Sequence, residues 1–289
     1  MKKKNNKLSI IILSVLIISI ILFLFYNTID TSKFILRDKY NKILKYKKET
    51  FINDSISKKY KIIVIQDGAY NKYPEYSEYT IKINKLYCKK WNYDYKFIEH
   101  DLSKMPPYWL KVNDIVEYIH KDYDYVVFLD LDACFIDFDI SLDSLINKID
   151  SSTSKQHDIY IGKDLPFNVI ANTGTLIIKN TDFSKKFSKL WLSACIDNQN
   201  KISNKCINWD YDSVNKKWSC PSCIWAGINY EQGVFNYIYE LYKKNIAVLD
   251  KSFFTDKKIN NKPFIYHAMS KTNDNRLNIF KNFYERMNK

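Results

Sequence analysis

The sequence predicts an α/β domain with a mostly parallel central sheet, carried behind one N-terminal membrane-spanning helix. Three observations predict it. Two continuous runs, Tyr60-Lys61-Ile62-Ile63-Val64-Ile65-Gln66 and Tyr125-Val126-Val127-Phe128-Leu129, have the β-branched and aromatic character of strands buried on both faces. Helix-like stretches alternate with such runs, as they do where crossover helices connect parallel strands. Before all of these, an uncharged apolar run extends from Leu8 to Phe25.

The elements follow in order. A bilayer-spanning helix needs roughly 17–25 apolar residues, which the run from Leu8 just supplies. Lys2, Lys3, Lys4 and Lys7 precede it and are expected to stay cytoplasmic. No Ala-x-Ala-like site follows in Tyr26-Asn27-Thr28-Ile29, so the run is predicted to be an uncleaved signal anchor rather than a signal peptide. The expected organisation is a cytoplasmic tail (1–7), an anchor (8–26), a stalk (27–59) and a folded domain (60–289) in a lumen or outside the cell. There Asn53-Asp54-Ser55 is a usable glycosylation sequon.

In the domain, the first strand is expected to end at Asp67-Gly68. A helix over 76–91, a strand over 95–98 and a helix over 109–120 lead to the strand over 125–129. Beyond Asp132 the pattern is less regular. Strands are predicted over 159–161 and 175–178, a helix over 183–195, and a long polar loop over about 197–229, a length that usually serves a purpose. A helix over 231–243, a strand near Ala247, a strand ending at Tyr266 and a helix over 273–289 complete the chain.

Composition excludes more than it names. The net charge is +13, but it comes from 42 lysines and only three arginines, Arg37, Arg276 and Arg286. Bidentate reading of bases and phosphates favours arginine, so the surplus reads as a solvated lysine surface and not as a nucleic-acid interface. The six cysteines are Cys88, Cys134, Cys195, Cys206, Cys220 and Cys223. Cys195 and Cys206 are too far apart for half of a zinc knuckle, which leaves disulfides stapling the long loop or free buried thiols.

The strongest chemical signal is Val126-Val127-Phe128-Leu129-Asp130-Leu131-Asp132. A wholly apolar strand stops at one carboxylate and presents another two residues on, so both acids point to the same side. At the carboxyl end of a parallel strand they face the crevice where open α/β sheets bind ligands. Two hard oxygen donors there suit Mn²⁺ or Mg²⁺. Strand-end Asp residues also serve as turn and cap residues, and phosphatases of the haloacid dehalogenase type share an apolar strand followed by D-x-D. Those enzymes usually place that strand first and need a later acidic pair, whereas here an equal strand precedes it and no such pair is visible.

Four separated blocks carry a resemblance over roughly residues 60 to 270. They are Tyr108-Trp109-Leu110-Lys111; Phe128 to Ala133; Asn172-Thr173-Gly174-Thr175-Leu176-Ile177-Ile178-Lys179-Asn180-Thr181 followed by Trp191; and Glu231-Gln232 with Tyr266-His267. In order and spacing the chain resembles the GT-A family of retaining Golgi galactosyl-, mannosyl- and xylosyltransferases of fungi and plants.

The resemblance implies a GT-A fold, Rossmann-like, and a nucleotide-sugar donor used with a glycan or glycoprotein acceptor. It implies that Asp130, Asp132 and His267 hold the metal, and that Asp67, Lys111, Asp130, Leu131, Asn172, Gly174 and Lys271 contact the donor. Glu231, Gln232 and Asp130 would stand near the reacting sugar carbon. The chain departs from the family after the histidine, where Ala268-Met269-Ser270-Lys271 stands in place of a glycine-containing turn. It departs again at Glu231-Gln232, which is shorter than the usual acidic run. A catalytically dead, lectin-like homologue is the non-enzymatic alternative.

Overall fold

The two apolar runs become neighbouring strands at the heart of a six-stranded sheet. The computed structural model describes residues 59–69, 72–153, 155–164, 170–195, 208–249 and 263–287. The predicted anchor, stalk and sequon lie outside the described residues, as does Cys206. Among the described residues no helix is long and apolar enough to cross a membrane.

The chain forms β1 (Ile62–Gly68), α1 (Pro74–Trp91), β2 (Asp94–Glu99), α2 (Pro107–Tyr118) and β3 (Tyr125–Leu129), then β4 (Ala133–Phe135), α3 (Leu142–Thr153) and β5 (Ile159–Lys163). It continues with β6 (Ala171–Lys179), α4 (Asp182–Leu192), a hairpin of β7 (Asp210–Asp212) and β8 (Lys217–Ser219), α5 (Glu231–Tyr242), β9 (Ile246–Leu249), β10 (Ile265–His267) and α6 (Asn273–Met287). The main sheet has the order β2-β1-β3-β6-β5-β9. β1 runs parallel to β2 and β3, β5 parallel to β9, and β6 alone is reversed between β3 and β5. The mostly parallel sheet is therefore as expected.

Alternation along the strands divides the core in two. Ile63, Ile65, Val126, Phe128, Leu176 and Ile178 pack against Trp109, Val112, Ile115, Trp191 and Phe235 of α2, α4 and α5. Their neighbours Ile62, Val64, Tyr125, Val127, Leu129 and Ile177 pack against Tyr87, Leu142, Leu145 and Ile146 of α1 and α3. Burial on both faces is what makes these strands read as unbroken apolar runs.

Local chemistry sets the element ends that matter for the site. Pro107 occupies the first turn of α2, where its missing N–H costs nothing. Thr181 caps α4 by accepting from the Ser184 N–H. β1 ends at Asp67-Gly68 as expected, and a Cβ on Gly68 would lie 2.9 Å from Leu131. β6 begins at Ala171, so Gly174 lies within the strand and not before it as expected. The long loop contains the β7–β8 hairpin, and a disulfide joins Cys220 to Cys223. Cys195 is also disulfide-bonded, while Cys88 and Cys134 are free and buried.

Candidate active site

The carboxyl edge of the sheet gathers most of the residues singled out in the sequence. β3 ends at Leu129, and the Asp130 N–H donates to the Gly174 carbonyl at 2.8 Å, tying the start of the D-x-D turn to β6. β4 then pairs antiparallel with β10, which sets His267 opposite Ala133. The Ala268 N–H donates to the Asp132 carbonyl at 2.9 Å. In this way the last short strand brings the imidazole to the two acids.

His267 Nε2 lies 3.2 Å from Asp132 Oδ1 and 3.6 Å from Asp130 Oδ2. One ligand atom from each of Asp130, Asp132 and His267 falls within 4.8 Å of the others. For bonds of about 2.1 Å in octahedral geometry, adjacent ligands stand about 3.0 Å apart and opposite ones about 4.2 Å. Two carboxylates and an imidazole this close together are a donor set that could hold a divalent cation.

Gly174 makes room for this arrangement. A Cβ there would lie 2.1 Å from His267 Cε1 and 2.7 Å from Asp130 Oδ2. Gly174→Ala is therefore expected to displace the ring, cost about 1–3 kcal/mol in stability and weaken Mn²⁺ binding at least about tenfold. Thermal melting and calorimetric titration with Mn²⁺ read the two effects separately; unchanged Mn²⁺ affinity would exclude this role for the glycine.

Cations hold the acids in place. Arg276 Nη2, from α6, lies 2.7 Å from Asp132 Oδ2. Burial pushes the Asp132 carboxyl up, but His267 and Arg276 outweigh it and hold the group down at about 2. Lys111 Nζ lies 2.7 Å from Asp130 Oδ1 and 3.3 Å from Glu231 Oε1, its side chain only 8% exposed. Burial works against its charge, yet Asp130 and Glu231 keep the ammonium more basic than a free lysine.

Glu231 opens α5. Its Oε1 accepts from Thr173 Oγ1 at 3.0 Å, and its carbonyl accepts from the Trp191 indole N–H at 2.8 Å. Burial raises its pKa against the pull of Lys111. Gln232 is fixed from both ends, accepting from the Thr173 N–H at 3.2 Å and donating to Asp164 at 3.0 Å. Asn172 accepts from the Gly174 N–H at 2.9 Å.

Leu131 is placed differently from the acids beside it. Its side chain packs with Tyr76, Ile83, Cys134, Tyr266 and Phe280, in the apolar cluster under α1 and α6 and apart from the carboxylates on either side of it. Lys271 sits half-buried in the turn after His267. In that turn Ser270 takes φ +57°, the left-handed conformation a glycine adopts freely, so the departure from the glycine-containing turn keeps a glycine-like backbone.

Sequence reasoning missed the residues beneath the turn. Gln66 Nε2 donates toward the carbonyls of Asp130, Leu131 and Ala133. Thr80 Oγ1 donates to the Leu131 carbonyl at 2.8 Å, and Asn84 bridges the Ala133 carbonyl and the Phe135 N–H. All three side chains are fully buried. They satisfy backbone groups that a sharp turn would otherwise leave unpaired.

Asp67 joins a second buried group. His100 Nε2 lies 2.7 Å from Asp114 Oδ2 and 3.5 Å from Asp67 Oδ2. Burial pushes the Asp67 carboxyl up to about 6. Burial would lower the His100 pKa, but the two carboxylates outweigh it and raise it to about 9. These three residues also bring ligand atoms within 4.8 Å of one another. The 2.7 Å contact has the length of a charge-assisted hydrogen bond between His100 and Asp114.

Because the folded pKa of His100 is raised, its stabilisation is complete below the unfolded value near 6.5 and is lost as pH rises through about 9. His100→Asn is expected to cost about 2–3 kcal/mol at pH 6, the deficit closing by about pH 10. A melting deficit that stays constant across that range would rule the ion pair out.

A candidate metal-ligand set and a lysine–glutamate pair therefore meet at the carboxyl edge of the sheet. Comparison with known proteins narrows the fold further. No family model matches the chain, and no curated protein matches it. A solved structure of a glycosyltransferase involved in the glycosylation of the major capsid of PBCV-1 superposes with a TM-score of 0.53 at 14% identity, covering 76% of this chain and 98% of that one. The glycosyltransferase GlyE of Streptococcus pneumoniae TIGR4 (TM-score 0.45, 12% identity, 78% and 60% covered) and mouse xyloside xylosyltransferase 1 (0.40, 11%, 73% and 98%) align more loosely. The viral structure shows that this chain has the fold of a glycosyltransferase.

Proposed function

We propose that the protein is a metal-dependent glycosyltransferase that moves a hexose or pentose from a UDP- or GDP-sugar to a glycan or glycoprotein acceptor. The convergence of Asp130, Asp132 and His267 in a chain with this fold carries the reading. A bound Mn²⁺ or Mg²⁺ would neutralise charge on the departing nucleotide diphosphate.

The chain's own residues do the rest. Asp132, held by Arg276, and His267 would hold the ion together with Asp130, whose other oxygen meets Lys111. Lys111 holds Asp130 and Glu231 at a set separation. Gln232, clamped by Thr173 and Asp164, and Asn172 would line the donor sugar. Asp67 would contact the nucleoside, and Lys271 would meet the diphosphate. Transfer with retention would follow a front-face path, in which the Lys111–Glu231 pair positions Asp130 and the acceptor is held close to the departing diphosphate. Kinship with the retaining Golgi enzymes of fungi and plants, and a type II anchor holding the domain in a Golgi or endoplasmic-reticulum lumen or a viral equivalent, complete the proposal.

The test is to screen UDP- and GDP-sugars with the full chain and Mn²⁺, and again with EDTA. Metal-dependent release of one nucleotide would establish the reaction and name the donor. A protein that binds no nucleotide sugar with Mn²⁺ would refute the reading and return attention to phosphatase chemistry at Asp130.

A further inference from the structure

Beside the candidate donor site, three large apolar side chains stand in solvent within five residues. Ile224 is 82% exposed, Trp225 57% and Ile228 62%. Single exposed apolar residues are ordinary, but a contiguous group marks a surface that something covers. The group lies in a stretch without a charged residue from Trp218 to Tyr230, in a chain whose surface is otherwise rich in lysine.

This segment is held firmly. The Trp225 ring stands edge-to-face against Tyr108 (5.5 Å between centroids, 72°) and Tyr230 (5.0 Å, 63°). Tyr108 and Tyr230 pack on each other at 5.1 Å, and both pack on Trp209 at 5.7 and 5.1 Å. The indole N–H groups of Trp109 and Trp209 both donate to the Asn229 carbonyl, at 3.1 and 2.9 Å. The turn also presses on α5: a Cβ on Gly233 would lie 2.0 Å from the Gly227 carbonyl oxygen and 2.3 Å from that of Ala226. Ala226 itself has φ +55°, a conformation unfavourable for alanine by about 1 kcal/mol or more. Strain at a non-glycine residue, kept to display an exposed tryptophan, points to use.

Its position says which use. Tyr230 directly precedes Glu231, and Tyr108 lies one helical turn before Lys111 on α2. The aromatic cluster is thus continuous with the two residues that flank Asp130. We propose that Trp225, with Ile224 and Ile228 at its margins, is a platform for the acceptor, and that the acceptor group bound there is a neutral saccharide. A pyranose ring offers one apolar C–H face and a rim of hydroxyls. A fixed indole ring matches that face through dispersion and its negative π-surface. Absence of charge from Trp218 to Tyr230 suits a neutral sugar better than an anionic lipid surface, which would call for lysine or arginine there. The assignment of the sugar as acceptor rests on the function proposed above; the saccharide site itself does not.

The experiment uses the full chain and Trp225→Ala, with Trp225→Tyr as the conservative variant. Binding of methyl and p-nitrophenyl glycosides and short neutral oligosaccharides is read by saturation-transfer NMR, without donor or turnover. Melting temperature and Mn²⁺-dependent UDP and GDP affinity serve as folding controls. The expected result is that at least one glycoside binds wild type, that Trp225→Ala weakens it at least tenfold, and that Trp225→Tyr retains most of it. Where transfer is measurable, KM for the acceptor rises by the same factor with kcat little changed. Equal glycoside binding by wild type and Trp225→Ala would overturn the proposal. So would a wild type that binds none of the panel at millimolar concentration, or a patch whose loss alters only self-association or binding to anionic vesicles. Nucleotide affinity reports separately on the donor-site reading, so glycoside binding without nucleotide binding would refute that reading and leave the platform standing.

Discussion

Asp132→Ala is expected to lower metal-dependent nucleotide release at least about a thousandfold, leaving a residue of activity that EDTA no longer affects. Asp132 is the acid best fixed for metal binding. Its carboxyl is kept down at about 2 by His267 and Arg276 in spite of burial, so it is ionised at any working pH. Arg276 Nη2 at 2.7 Å and His267 Nε2 at 3.2 Å hold opposite oxygens of the same group. Losing a charge interaction of several kcal/mol with a metal corresponds to about three powers of ten in rate.

Truncation also leaves Arg276 and His267 without their carboxylate, so stability is expected to fall by about 1–3 kcal/mol. Asp132→Asn keeps the shape and an acceptor for Arg276 but removes the negative charge. It should therefore recover stability and little of the activity. Turnover by Asp132→Ala above a tenth of wild type with Mn²⁺ would show that Asp132 does not hold the metal.

How much of this was legible depends on burial. β3 is closed on both faces, so its sequence is an unbroken apolar run, and the acids that end it could only face the crevice. Asp67, Lys111 and Glu231 were reached through the family resemblance, because no local pattern of charge marks them: Lys111 lies inside α2 and Glu231 simply opens α5. Gln66, Thr80 and Asn84 were passed over because neutral polar residues inside apolar stretches look like tolerated exceptions. The available signal was Ser77, Thr80 and Asn84 at helical spacing on the face of α1 that also carries Tyr76, Ile83 and Tyr87.

Other misses have different causes. The i, i+3, i+4, i+7 pattern of Leu142, Leu145, Ile146 and Ile149 is present in the sequence, and α3 follows from it. β4 has three residues, too few for any period to show, whereas the strand expected to end at Tyr266 is β10, which runs one residue further to His267. The early start of β6 was hidden by Asn172, Thr173 and Gly174, whose residue types serve the site in place of strand propensity. Arg276 reaches Asp132 from a helix nine residues beyond His267, a contact that only the closed fold reveals.

Lys111→Met is expected to destabilise the protein by about 3–5 kcal/mol, because it removes the cation between the buried Glu231 and the partly exposed Asp130 and leaves both acids in place. For a domain of this size that corresponds to a fall in melting temperature of very roughly 6–20 °C. Methionine nearly matches the volume of the lysine stem that passes Phe128, with Nζ 5.4 Å from the ring centroid, so lost packing accounts for little of it. The charge sign can be checked by pH. Without Lys111, Glu231 is pushed further above its ordinary pKa by burial and by Asp130, so its protonation becomes easier. The deficit should therefore be greatest at neutral pH and shrink as pH falls through the raised Glu231 value. Adding Glu231→Gln should do by mutation what acid does by titration, restoring at least about 1 kcal/mol relative to the sum of the single variants. A single-variant loss below about 1 kcal/mol, or full additivity of the pair, would mean that Lys111 and Glu231 are independently solvated and that no shared charge network sets the position of Asp130.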